Sequence, residues 1–77
     1  MNRPEFLVLV DELFDLSPGS LKGPENLDEM ASWNSMSMVG FIGLADAHFG
    51  YILSPRKFGS CHTVDDLLNL IQPLNAA

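Results

Sequence analysis

Ser35 directly follows Asn34 at the start of an apolar-periodic run. That position predicts a hydroxyl in the first turn of a helix, where backbone N–H groups and the positive dipole end favour an attached or bound anion, a phosphate above all. The plainer account is a serine that merely favours a first turn. Cys61-His62 sets a thiol beside a base. Adjacent residues rarely face one another and no third orienting group is evident, so a small buried thiol is the commoner case. His48, near the end of the same apolar run, complements a helix dipole better than it binds metal. Glu25, Asp28 and Glu29 bring carboxylates together but lack the alternating oxygen ligands and central Gly of a calcium loop, so they read as solvated loop charges. Met30, Trp33, Met36 and Met38 cluster around Ser35. Met-rich surfaces adapt to varied apolar partners, although each of these residues is equally accounted for by core or loop anchoring. Neither a catalytic set nor a metal-ligand set emerges.

These residues need elements to hold them. Phe6, Leu9, Val10, Leu13 and Phe14 recur at helical spacing and predict a first helix over about 4–16, opened by a capping-box-like Asn2 and Glu5 with Pro4 in the first turn. Asp11, Glu12 and Asp15 fall mainly toward its solvated side. From Ser17 to Trp33 two Pro and two Gly forbid a long regular element, and a loop of this length needs the anchors that Leu21, Leu27, Met30 and Trp33 offer. Asn34 then caps a second helix over about 35–49, whose stripe of Met38, Phe41, Ile42, Ala45 and Phe49 ends at Gly50. Gly40 and Gly43 inside it each cost on the order of 1 kcal/mol relative to Ala, which points to close approach by another surface. Ser54 and Pro55 predict a short third helix over 55–58. Thr63 and Asp66 open a last helix over 63–72, with Val64, Leu67, Leu68 and Ile71 as its apolar face, a stop at Pro73 and a frayed tail over 73–77. The pattern predicts one all-α domain, a four-helix bundle with a long first loop and a short third helix.

Seventy-seven residues cannot build two hydrophobic cores, which excludes most self-sufficient enzymes. Four Lys+Arg against ten Asp+Glu give a net charge of −6, which repels nucleic-acid backbones and anionic lipid surfaces. A hydrophobic content of 47% is enough for the chain to fold. One cysteine, no zinc spacing and no signal-like N-terminus predict a cytoplasmic protein with no membrane insertion. No heptad seam argues for more than a monomer.

Leu27-Asp28-Glu29-Met30-Ala31-Ser32-Trp33-Asn34-Ser35-Met36, the helix closing in Phe49-Gly50, and Thr63-Val64-Asp65-Asp66-Leu67 together resemble the acyl carrier protein family over nearly the whole chain. In that family an Asp-Ser-Leu signature opens the second helix, and its serine carries 4′-phosphopantetheine; Asn34-Ser35-Met36 stands in that place. Trp33 is similar to a subgroup of stand-alone carriers with Trp-Asp-Ser, associated with specialised acyl chemistry. The resemblance implies that a phosphopantetheinyl transferase modifies Ser35 from coenzyme A, and that the arm then carries acyl groups as thioesters between acyl-transferring or acyl-modifying enzymes. The chain itself would have no catalytic activity.

Two departures shape the expected partners. Asn34 keeps the cap of the family's usual Asp but not its charge. Ser37, Gly40, Ala47 and His48 occupy positions where such carriers place acidic residues, leaving Asp46 alone, whereas Arg56 and Lys57 make the short third helix basic. Partner docking is therefore expected through apolar contact around Met36, Val39 and Gly40. An acyl chain is expected between the second and last helices, against Phe41, Ile42, Ala45, Cys61 and Leu67. The residues also admit an aminoacyl carrier, or an unmodified interaction module that binds a partner helix.

Overall fold

The first helix begins where two side chains close on each other's backbone. In the computed structural model, which describes residues 1–75, Asn2 accepts the Glu5 N–H at 2.9 Å and Glu5 accepts the Asn2 N–H at 3.0 Å. This reciprocal cap starts α1 at Arg3–Leu13, with Pro4 in the first turn, and the helix buries Phe6, Val10 and Asp11. It ends three residues short of the expected Leu16. Asp15 adopts φ +61, a left-handed backbone that Asp tolerates better than most residues, and the Leu16 N–H reaches back to the Asp11 carbonyl at 2.8 Å.

The same turn explains a second correction. Asp11 does not face solvent with Glu12 and Asp15; it is fully buried. Its two carboxylate oxygens accept the N–H groups of Gly19 at 2.8 Å and Leu21 at 2.9 Å, so the start of the long loop folds back over α1. A charge can be buried when its oxygens are met by donors in this way. Leu21 and Leu27 then enter the core, and Leu27–Glu29 forms a 3-10 turn capped by Asn26.

Beyond Leu21 the loop is stitched to a distant part of the chain. The Gly23 carbonyl accepts from Asp65, the Glu25 carbonyl from Val64, and the Leu27 N–H donates to His62, at 2.8, 3.1 and 2.8 Å. Gly23 is required here twice over: its φ is +125, and a Cβ would overlap the Asp65 carboxylate. Asn26 and Thr63 form an isolated antiparallel bridge, and the described residues contain no strand.

Helix α2 spans Ser35–Phe49 as the pattern predicts, and closes at Gly50 with φ +61. Residues Pro55–Ser60 form a 3-10 helix, longer than the expected 55–58, and Ser54 makes no side-chain cap. Helix α3, Val64–Asn69, carries the full Thr63–Asp66 capping box. The N–H groups of His62 and Thr63 converge on Asp66, and those amides hold its carboxyl below the usual range.

The expected single helix over 63–72 is instead two. Pro73 has no N–H to offer the Asn69 carbonyl, so α3 cannot run through it; it sits comfortably in the first turn of a new helix, α4, Gln72–Asn75. The chain through Asn75 is therefore docked, not frayed: Leu74 is buried, and the Asn75 amide donates to the Leu68 and Ile71 carbonyls at 2.9 Å. Residues 76 and 77 lie outside the described residues. Arg3 closes the two ends together, bonding Asp65 and Asn69 at 3.0 Å and Asn75 at 2.6 Å.

Helical turns make up 60% of the structure, and with no strand among the described residues the fold is all-α. One apolar cluster unites it, with Phe6, Val10, Phe41, Ala45, Val64, Leu67, Leu68 and Ile71 removed from solvent. Phe6 packs edge-on to Phe41 at 5.9 Å, fastening α1 to α2.

Asp11→Ala strips two loop amides of their acceptor and is expected to lower the unfolding free energy by about 2 kcal/mol. Exposed Glu12→Ala is expected to change it by less than about 0.5 kcal/mol. Equilibrium urea unfolding compares the two, and equal effects would show that the carboxylate is not the loop's anchor.

Candidate functional site

The N-terminus of α2 is fixed by contacts from three directions. Asn34 has extended backbone, and its side-chain oxygen accepts the N–H groups of Met36 at 2.9 Å and Ser37 at 3.2 Å. Ser37, buried at the third position of the helix, accepts the Asn34 N–H at 2.9 Å and donates to the Ser32 carbonyl at 2.6 Å. Ser32 in turn donates to the Phe14 carbonyl at 3.2 Å, tying the start of α2 to the end of α1. Aromatic rings complete the anchoring. Trp33 is half-buried between Phe14 and Phe58, with ring centroids 5.9 and 5.2 Å away. Residue 34 is thus held by the loop, α1 and the 3-10 helix at once.

Ser35 occupies the first helical position and is exposed. Its environment differs from the sequence expectation in one respect. Two of the first-turn amides that would meet an anion are already taken by the Asn34 oxygen, so an anion at Ser35 meets the field of the helix end with few free donors.

Beside Ser35 lies a cleft of about 360 Å³, lined by Leu13, Phe14, Asp15, Ser32, Asn34, Met36 and Ser37. Sequence reasoning missed this feature. It needs the end of α1 to meet the start of α2, and only the Asp15-Leu16-Ser17-Pro18-Gly19 run, as a helix-ending signal, hinted at where α1 turns away. A second cleft, of about 560 Å³, lies between the start of α1 and α4.

The expected docking residues divide. Met36 is 83% exposed and Val39 69%, with Ile52 also bare at 75%. Gly40 is half-buried beneath Leu13, so the close approach inferred from this glycine comes from α1; Gly43 faces open space. Asp46 and His48 are exposed near the far end of α2, as are Arg56 and Lys57 on the 3-10 helix.

The residues expected to line an acyl chain share one packed cluster. Phe41, Ala45, Cys61 and Leu67 are buried and Ile42 is half-buried against them, while Phe41 also meets Phe58 edge-on at 6.1 Å. Neither cleft opens onto these side chains. Cys61 points inward, its Sγ 3.5 Å from the Lys57 carbonyl, and burial, aided by Asp66, pushes its thiol up. His62 turns outward and lies 3.6 Å from Asp28, so the two neighbours do not form a thiol and base. The described residues contain no group of three His, Cys, Asp or Glu side chains able to hold a metal, and no helix long and apolar enough to cross a membrane.

No protein-family model, curated protein or solved structure matches the chain.

Two outcomes check this geometry. Gly43→Ala adds a methyl to open space in a helix and is expected to stabilise by about 1 kcal/mol, whereas Gly40→Ala must displace Leu13 and is expected to gain less. Equal urea midpoints for the two would contradict the packing at Gly40. Cys61 is expected to react with a thiol reagent many-fold more slowly in the folded protein than in denaturant, and equal rates would contradict its burial.

Proposed function

We propose that the chain is an acyl carrier protein of the stand-alone, specialised type, bearing 4′-phosphopantetheine on Ser35. The observation that carries the reading is an exposed hydroxyl at the first position of a 15-residue helix whose start is rigidly capped and anchored. A transferase must reach that oxygen and turn it into a phosphodiester, and Ser35 is open to solvent at a helix start held by the Asn34 cap and the Ser37 hydrogen bonds.

The four-helix reading of the bundle belongs to the same proposal. In it α1, α2, the 3-10 helix and the α3–α4 pair stand for the four helices of the family, the last one broken at Pro73. Asn34 holds the helix start, and the dipole end favours the attached phosphate by about 0.3–1 kcal/mol, the magnitude typical of an exposed site. The arm supplies a terminal thiol that holds an acyl group as a thioester. The chain acts as a substrate for acyl-transferring and acyl-modifying enzymes and catalyses nothing itself.

Partner enzymes dock on the exposed Met36 and Val39, with Asp46 the single carboxylate on α2, so contact is more apolar than electrostatic. The buried free thiol suits a reducing cytoplasm. An acyl chain between α2 and α3 displaces packing at Phe41, Ile42, Ala45, Cys61 and Leu67, and an aminoacyl group, which needs no such tunnel, is the variant of this reading. The exposure of Met36 and Val39 on α2 also favours a second reading, an unmodified module that binds a partner helix there.

Incubation with a phosphopantetheinyl transferase, coenzyme A and Mg²⁺, followed by intact-mass measurement, is expected to add one phosphopantetheine, and Ser35→Ala to abolish the addition. No increment with several transferases would overturn the carrier and leave the interaction module.

A further inference from the structure

The cleft beside Ser35 is given no role by the carrier reading. We infer that it seats the pantetheine portion of the arm, so that the tethered group rests folded against the junction of α1 and α2; the inference rests on the carrier reading.

Position is the first support. Asn34 and Met36, the residues on either side of the attachment point, both line the cleft. A group tethered at Ser35 therefore enters it without the entropy loss of bringing two molecules together, and even weak contacts are populated under that effective concentration. The volume of about 360 Å³ accommodates a linear small molecule and is too small for a partner helix.

Chemistry is the second. Pantetheine carries geminal methyls, a hydroxyl and two amides along one chain. Leu13, Phe14 and Met36 give the cleft apolar walls for the methyls. Ser32 and Ser37 already direct their hydroxyl protons to backbone carbonyls, and the Asn34 oxygen is occupied by α2 amides. Asp15 differs: it is exposed and lines the cleft, so its carboxylate is placed to accept an amide N–H of the arm. The phosphodiester, negative like Asp15, stays at the helix mouth in water, where repulsion between the two is screened.

The third support is the state of the alternative. Phe41 of α2 is fully buried in the same core cluster as Val64 and Leu67 of α3 and meets Phe6 and Phe58 edge-on, so the arm enters there only by parting packed core contacts. The cleft is already open.

The test uses the intact chain, ¹⁵N-labelled, before and after loading from ¹³C-labelled coenzyme A, with loading confirmed by intact mass. The expected result is amide shift changes at Leu13, Phe14, Asp15 and Ser32 comparable to those at Met36, with nuclear Overhauser contacts from the geminal methyls to the Leu13 and Phe14 side chains. An increment in mass with changes confined to residues 34–38, or with methyl contacts to Phe41, Ile42 or Leu67 instead, would overturn the seat and leave the carrier standing. Absence of any increment would overturn both.

Discussion

A carboxylate without access to water must be surrounded by donors, and in this chain the donors come from the loop that delivers α2. Asp11 sits inside the fold and collects the amides of Gly19 and Leu21. Once they are collected, Leu21 is in the core and the chain is aimed across the bundle toward α3. Without that fixed point, some twenty residues lacking regular structure would join α1 to α2, and the start of α2 would have no defined place. The later contacts depend on it in turn. Gly23 and Glu25 reach Asp65 and Val64 only because the loop has been folded back at Asp11, and Trp33 finds the gap between Phe14 and Phe58 only at the end of that path.

What the sequence revealed was what local chemistry decides. Each of the caps at Asn2, Asn34 and Thr63 depends on residues within three positions of one another, and all three form as the spacing predicts. Gly50 is equally local, a single residue in the left-handed conformation closing a helix. The burial of Asp11 is not legible in the helical pattern because its donors lie eight and ten residues away, beyond any helical period. The helix that begins at Gln72 is hidden for a related reason. The missing N–H of Pro73 ends α3 as expected, but whether the chain then frays or begins again depends on a pocket for Leu74 and on acceptors for Asn75, which α3 provides through Leu68 and Ile71. The candidate site was half legible: Ser35 and its cap follow from the pattern, and the cleft beside them requires the α1–α2 contact.

Charge is distributed so that the two ends of the bundle behave differently. Arg3 is committed to Asp65, Asn69 and Asn75, where it holds α1 to α3 and α4. Glu25 is likewise turned inward to the backbone: partial burial pushes its carboxyl up, but the Lys22 and Gly23 amides and the Lys22 charge outweigh that and bring it below its ordinary value. Arg56 and Lys57 stand exposed on the 3-10 helix, while α2 carries only Asp46. Long-range attraction to a basic partner would be correspondingly weak along α2, where the exposed side chains of Met36 and Val39 offer apolar surface instead.

Asn34 resolves a competition at the helix mouth. A side-chain oxygen at the cap and an anion at the first turn both seek the same few amides, and the cap, covalently placed, takes those of Met36 and Ser37. On the proposed carrier reading, what would be left for a phosphate on Ser35 is the axial field and open water, a weak preference that would suit an arm that swings outward. An aspartate at position 34 would keep these hydrogen bonds but set a negative charge beside the phosphate, whereas asparagine keeps the bonds and removes the repulsion. The neutral cap thus leaves the helix start as firmly held as a charged one, and would make an anion attached at Ser35 easier to accommodate.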